Sequence, residues 1–113
     1  MVSLTAFRNV ALSFPEATEA PHFEKNSFRV KGKIFATCDE KNNRACLKLS
    51  ETNQDLFSLP DKSVVYPVNN KWGKQGWTMV ELGKVSKRLF TAAISAAYCE
   101  VAPAQLAALV KQP

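Results

Sequence analysis

The sequence predicts an α+β fold: an antiparallel sheet of about five strands, packed on one face by N-terminal and C-terminal helices. Three observations carry that prediction. Apolar residues recur at three- and four-residue spacing near both ends of the chain. The middle holds short segments that alternate apolar and polar residues, the period of a half-buried strand. Tight polar turns join most of these segments, so consecutive strands run antiparallel.

The first helix is expected over residues 3–14. Leu4, Phe7, Val10, Ala11 and Phe14 form one stripe, Ser3 is placed to cap it, and Pro15 stops it. Residues 15–23, with two prolines and two glutamates, read as an extended connection. Residues 27–31 put Phe28 and Val30 opposite Arg29 and Lys31. Gly32 supplies the turn, and residues 33–38 return. After the polar run 39–43, residues 44–50 place Ala45, Leu47 and Leu49 on one side and Arg44, Cys46 and Lys48 on the other. A short helix is expected over residues 51–59, capped by Ser50 or Thr52, with Leu56, Phe57 and Leu59 as its apolar side. Residues 63–68 are rich in β-formers but contain Pro67, which points to an edge strand. Residues 69–76 read as a polar, glycine-containing turn. Residues 77–82 form a last strand, with Trp77, Met79 and Glu81 opposite Thr78, Val80 and Leu82. The strongest helix pattern runs from 85 to 99, and a short final helix is expected over 104–111, with Pro103 near its first turn.

At 113 residues the chain has the length of a single domain spanning residues 1–113. Its apolar fraction of 46% is enough for a core, and its charged fraction of 22% argues against bulk disorder. Fifteen Lys and Arg against ten Asp and Glu give a net charge of +5, which favours encounter with polyanions. The cysteines, Cys38, Cys46 and Cys99, are odd in number and contain no paired motif. A disulfide framework is therefore not expected, and a reducing, cytoplasmic setting fits better. The amphipathic N-terminus does not read as a signal peptide, and no apolar run approaches the roughly 18 to 20 residues of a membrane span.

The run from Phe14 to Phe23, then Phe28-Arg29-Val30 leading into Gly32-Lys33-Ile34-Phe35-Ala36, then Trp72-Gly73 and Gly76-Trp77, resembles the MmcQ/YjbR family. The resemblance extends from about Leu4 to Leu109. Many relatives carry a His-Trp pair where this chain has Gly76-Trp77, so it is similar to the branch with a Trp-Gly…Gly-Trp hairpin. The resemblance implies a frataxin-like fold and a proposed double-wing mode of DNA binding. The departure at Gly76 leaves any site that relatives build on that histidine without its residue in this sequence.

Several residues are candidates for chemistry. Arg29, Lys31, Lys33, Arg44 and Lys48 all fall on or beside strands, and would form one basic patch if those strands are neighbours. Lys71, Trp72 and Lys74 would extend it. Cations meet phosphates and an exposed tryptophan stacks on bases, so DNA is the expected partner. The bland alternative is the ordinary charged face of a half-solvated sheet, with Trp77 in the core and Trp72 covering the turn. His22, the single histidine, has no evident catalytic partner, and with scattered cysteines it cannot complete a four-ligand zinc site. Cys46, flanked by Arg44 and Lys48, is a candidate for a lowered thiol pKa, and the alternative, which fits a strand position better, is a semi-buried structural cysteine. No cofactor is implied, and no complete catalytic constellation is visible. The expected role is a non-enzymatic DNA-binding domain. The alternative is a protein- or small-ligand-binding adaptor with a closed apolar pocket near Trp72, Phe35 and Tyr66.

Overall fold

A computed structural model describes residues 1–23 and 25–110. Five helices and six strands follow one another as α1 (Leu4–Ser13), β1 (Ala17–His22), β2 (Lys25–Val30), β3 (Lys33–Asp39), β4 (Arg44–Lys48), α2 (Glu51–Ser58), β5 (Val65–Pro67), α3 (Lys71–Lys74), β6 (Trp77–Glu81), α4 (Lys87–Val101) and α5 (Ala104–Ala107). The strands form one antiparallel sheet in the order β1-β2-β3-β4-β6-β5.

The α+β class and the one-sided helix packing are as the sequence predicts. The helix starts follow from their caps. Ser3, Ser50 and Ser86 each accept a hydrogen bond from the backbone N–H three residues on, which satisfies a donor the helix cannot. Three expectations fail. The connection before Phe23 contains a sixth strand, β1, because its prolines sit where an edge strand tolerates them. The turn before Trp77 contains the single helical turn α3, started by Asn70 Oδ1 accepting from Trp72 N. Leu56 and Leu59 of the α2 segment face solvent, at 56% and 68% exposure, and Gln54 and Ser58 are buried in their place. The strongest helix is displaced two residues towards the C-terminus, and Lys111 of the final helix lies outside the described residues.

The core lies between the sheet and a helix layer in which α4 crosses β3 and β4, α1 lies against β1, and α2 lies against β5. Aromatic rings tie the layers together. Phe7 packs on Phe28 and Phe90, with ring centroids 5.4 and 5.2 Å away. Phe14 stacks on Tyr98 at 4.8 Å, and Phe35 meets the same ring edge-on at 5.3 Å. The Tyr98 hydroxyl donates to the carbonyl of Pro15 at 2.6 Å, joining α4 to the exit of α1. Phe35 and Ala36 are both fully buried although adjacent on one strand. A bulge explains this: Phe28 pairs with Ala36 and Arg29 with Ile34, so Phe35 is an extra residue turned into the core.

The chain enters β5 at the far edge and returns as β6 between β5 and β4. Register then pairs Arg44 with Glu81, Cys46 with Met79 and Lys48 with Trp77 on the face away from the helices.

Candidate functional site

The face without helices is built by alternation. Ala45, Leu47, Val80 and Leu82 are buried under the helices, which turns Arg44, Cys46, Lys48, Trp77, Met79 and Glu81 outward. Its centre is a hollow of about 660 Å³ lined by His22, Phe23, Lys25, Ile34, Thr37, Cys46, Val68, Trp72, Trp77 and Met79. Ile34, Thr37, Cys46 and Met79 come from the central strands. The α3 turn supplies Trp72, and the β1–β2 turn supplies His22 and Phe23.

The tryptophan wall depends on close backbone contact. A Cβ on Gly73 would stand 1.9 Å from the Val68 carbonyl oxygen, and one on Gly76 would stand 1.8 Å from that of Leu49. Neither position therefore accepts a side chain without a backbone shift. Gln54 holds the same segment from below. Its side-chain nitrogen lies 2.9 Å from the Gly73 carbonyl oxygen, 3.2 Å from that of Trp77 and 3.0 Å from Thr78 Oγ1, and its two N–H groups serve these three acceptors with one shared. Nothing in the sequence marks Gln54 for this role, because the acceptors lie 19 to 24 residues away.

The eight residues predicted for nucleic-acid contact differ in their local partners. Arg44 and Lys48 stand at opposite ends of β4, roughly 13 Å apart at strand rise, with Cys46 between them. Arg44 Nε is 3.1 Å from Glu81 Oε2, close enough for an ion pair, but it makes no hydrogen bond. The same carboxylate oxygen takes a short hydrogen bond from Tyr66 Oη. Burial and the Glu81 bond both push the Tyr66 phenol pKa upward. Lys31 is paired with Glu16 at 2.8 Å. Arg29 Nε donates to Ser27 Oγ. Lys48 Nζ reaches the Leu49 carbonyl at 3.4 Å. Lys33 and Lys48 line a second, smaller hollow of about 280 Å³ with Ile34, Trp77, Glu100 and Val101. Lys71 and Lys74 are exposed on α3, with Lys71 Nζ 5.5 Å from the Trp72 ring centre. The cations thus surround an apolar centre. Two of these cations, Arg44 and Lys31, face carboxylates, one from β6 and one from the exit of α1.

Other expectations change as well. Trp77 is half-buried on the open face and walls the hollow, and is not a core residue. Phe35 belongs to the core and Tyr66 is not among the lining residues, so the apolar hollow is near Trp72 only, and it is open. The Cys46 thiol is pushed up to about 11 by burial, against a smaller opposing pull from the Lys25 ammonium. The lowered pKa expected from Arg44 and Lys48 does not occur, because desolvation outweighs any cationic help. Cys46 is a poor nucleophile at neutral pH. Among the described residues no group of three His, Cys, Asp or Glu is placed to hold a metal, and no helix is long and apolar enough to cross a membrane.

Fold and face together define an α+β domain with a helix-backed antiparallel sheet and an apolar hollow on its open side. The sequence profile of the YjbR family matches residues 12–100, and the chain belongs to that family. No curated protein matches the chain. Among solved structures, a DUF419-domain protein of Deinococcus radiodurans, DR2400, is similar at 21% identity and TM-score 0.76, over 88% of this chain and 78% of that one.

Proposed function

We propose that this YjbR-family domain is a non-enzymatic binding domain whose ligand site is the apolar hollow on the open face of the sheet. The carrying observation is the hollow itself. It is about 660 Å³, within the usual range for small-molecule sites, and its walls are mostly apolar and aromatic. An exposed sheet centre of this composition is unusual, since such faces are normally polar. The test is titration with a small neutral aromatic, such as 2-naphthylmethanol, followed by tryptophan fluorescence and backbone amide shifts. Both tryptophans of the chain line the hollow, so binding there changes their emission and moves the amides of Cys46, Trp77 and Met79. Shifts confined to other regions, or none at millimolar ligand, overturn the reading.

DNA binding is the second reading, and one observation favours it. Trp72 is 49% exposed with the Lys71 ammonium beside its ring, a small platform for an unpaired base. This arrangement suits single strands better than duplex. The reading expects single-stranded oligonucleotide to bind at 50 mM salt and to weaken steeply by 200 mM. Charge reversal at Lys71 and Lys74 is expected to abolish that binding. Equal retention of duplex, or no binding at low salt, removes it.

A further inference from the structure

The hollow differs from a generic greasy cleft in the character of its rim. Trp72 and Trp77 form one side, and the β1–β2 turn brings His22 and Phe23 to the other. Phe23 is 93% exposed and sits at φ +58°, a left-handed conformation that a bulky side chain adopts only against strain. Its ring meets His22 edge-on at 4.7 Å. An apolar ring is therefore held in solvent at the edge of an apolar hollow, where an aromatic occupant would cover it. Flat rings favour flat partners at this spacing, in offset or edge-on contact.

Among the described residues that line the hollow, Lys25 is the one ammonium and no carboxylate is present, while the Asp39 carboxylate, outside the lining, also feels the Lys25 charge. Lys25 forms no ion pair among the described residues. Its ammonium lies near enough to Cys46, on the floor, to act on that thiol. The adjoining smaller hollow, which shares Ile34 and Trp77, adds Lys33 and Lys48 against the single carboxylate of Glu100. A positive field over an apolar, low-dielectric surface selects an anion and rejects a cation.

Resting on the binding-site reading above, we infer that the occupant is a small planar aromatic anion, with its ring between Trp72, Trp77 and Met79 and its negative group directed to Lys25. A free aromatic carboxylate or phosphate and an unstacked base beside its phosphate share this chemistry. The small molecule is the occupant proposed.

The experiment compares three probes built on one ring: 2-naphthoate, 2-naphthylmethanol and 2-naphthylmethylammonium, at pH 7 and low salt. Wild-type protein is expected to bind the anion roughly 5- to 20-fold more tightly than the alcohol, as one charge-assisted contact at a part-exposed position provides, and the cation more weakly than either. Lys25→Gln, a change at an exposed position, is expected to bring anion and alcohol to parity by weakening the anion. Bound naphthoate is also expected to slow alkylation of Cys46 at pH 9, read by peptide mass. Equal affinities for the three probes, or an anion preference that survives Lys25→Gln, overturn the inference and leave the apolar site standing. Failure of all three to bind overturns both. A preference for a single-stranded oligonucleotide over naphthoate at matched salt reassigns the site to nucleic acid.

Discussion

Three glycines separate two effects that are often merged. Gly32 has φ +79° and open space where a Cβ would go, so its requirement is conformational only. Gly73 has no positive φ but would drive a Cβ into the Val68 carbonyl. Gly76 has both constraints, with φ +103° and the Leu49 carbonyl in the way. Gly32→Ala is therefore expected to cost about 1–2 kcal/mol, the ordinary left-handed penalty. Gly73→Ala and Gly76→Ala are expected to cost at least about 3 kcal/mol each, because the obstacle is backbone. Urea denaturation of the three variants gives the order directly, and a Gly32 variant as damaged as the other two contradicts it. The sequence shows two glycines beside two tryptophans and suggests a shaped turn. It does not show that each glycine lies under a carbonyl, since Val68 reaches Gly73 through the fold of the local turn and Leu49 reaches Gly76 only through tertiary packing.

At the scale of elements, α2 has an inverted appearance. Its leucines face outward and a glutamine faces inward, against the usual rule. The reason is that its neighbour is the backbone of the α3 turn and the start of β6, which offers carbonyls to be satisfied. Gln54 is also bonded to Thr78 Oγ1, which in turn donates to the Gly76 carbonyl. Gln54→Leu removes the donor and leaves buried acceptors, at an expected cost of about 2–3 kcal/mol. It is also expected to increase the exposure of Trp72 and Trp77 to acrylamide quenching, which an ordinary core substitution far from α3 would not do. Tyr98→Phe is a milder case. It removes the bond to Pro15 but keeps the ring stacked on Phe14, and about 1 kcal/mol is expected by thermal unfolding.

For the whole molecule, folding raises the pKa of several acids and lowers stability at high pH. Burial pushes the Cys38 and Cys46 thiols from 9.0 to about 11, and the Tyr66 and Tyr98 phenols are also raised. A raised acid holds its proton more tightly in the folded chain. Its contribution is complete below the unfolded value and is lost as pH rises through the folded value. Stability is therefore expected to be level to about pH 8.5 and to fall between pH 9 and 11, on the order of 1–2 kcal/mol per thiol. Melting temperatures across that range check it. Cys46→Ser is expected to flatten the curve, and an unchanged curve in the double Cys38→Ser, Cys46→Ser variant assigns the loss elsewhere. Within the net charge of +5, Lys31 and Arg44 have local carboxylate partners, and the remaining excess acts as a general field that favours encounter with anions.

Periodicity by itself determined most of the elements and the two faces of β4 and β6, while the bulge between β2 and β3 breaks the alternation there. Ala45, Leu47 and Leu49 had to share one side and Arg44, Cys46 and Lys48 the other, because a strand turns every second side chain the same way. Ser3 and Ser50 marked where α1 and α2 begin, and Pro67 marked an edge. Hairpin neighbours such as β2 and β3 were legible from the turn at Gly32, but the insertion of β6 between β4 and β5 was not, since pairing across a longer connection depends on long-range burial and not on local pattern. That insertion decides the character of the open face. It sets Glu81 against Arg44, which takes up a cation, and Met79 and Trp77 against Cys46 and Lys48, which builds the apolar hollow.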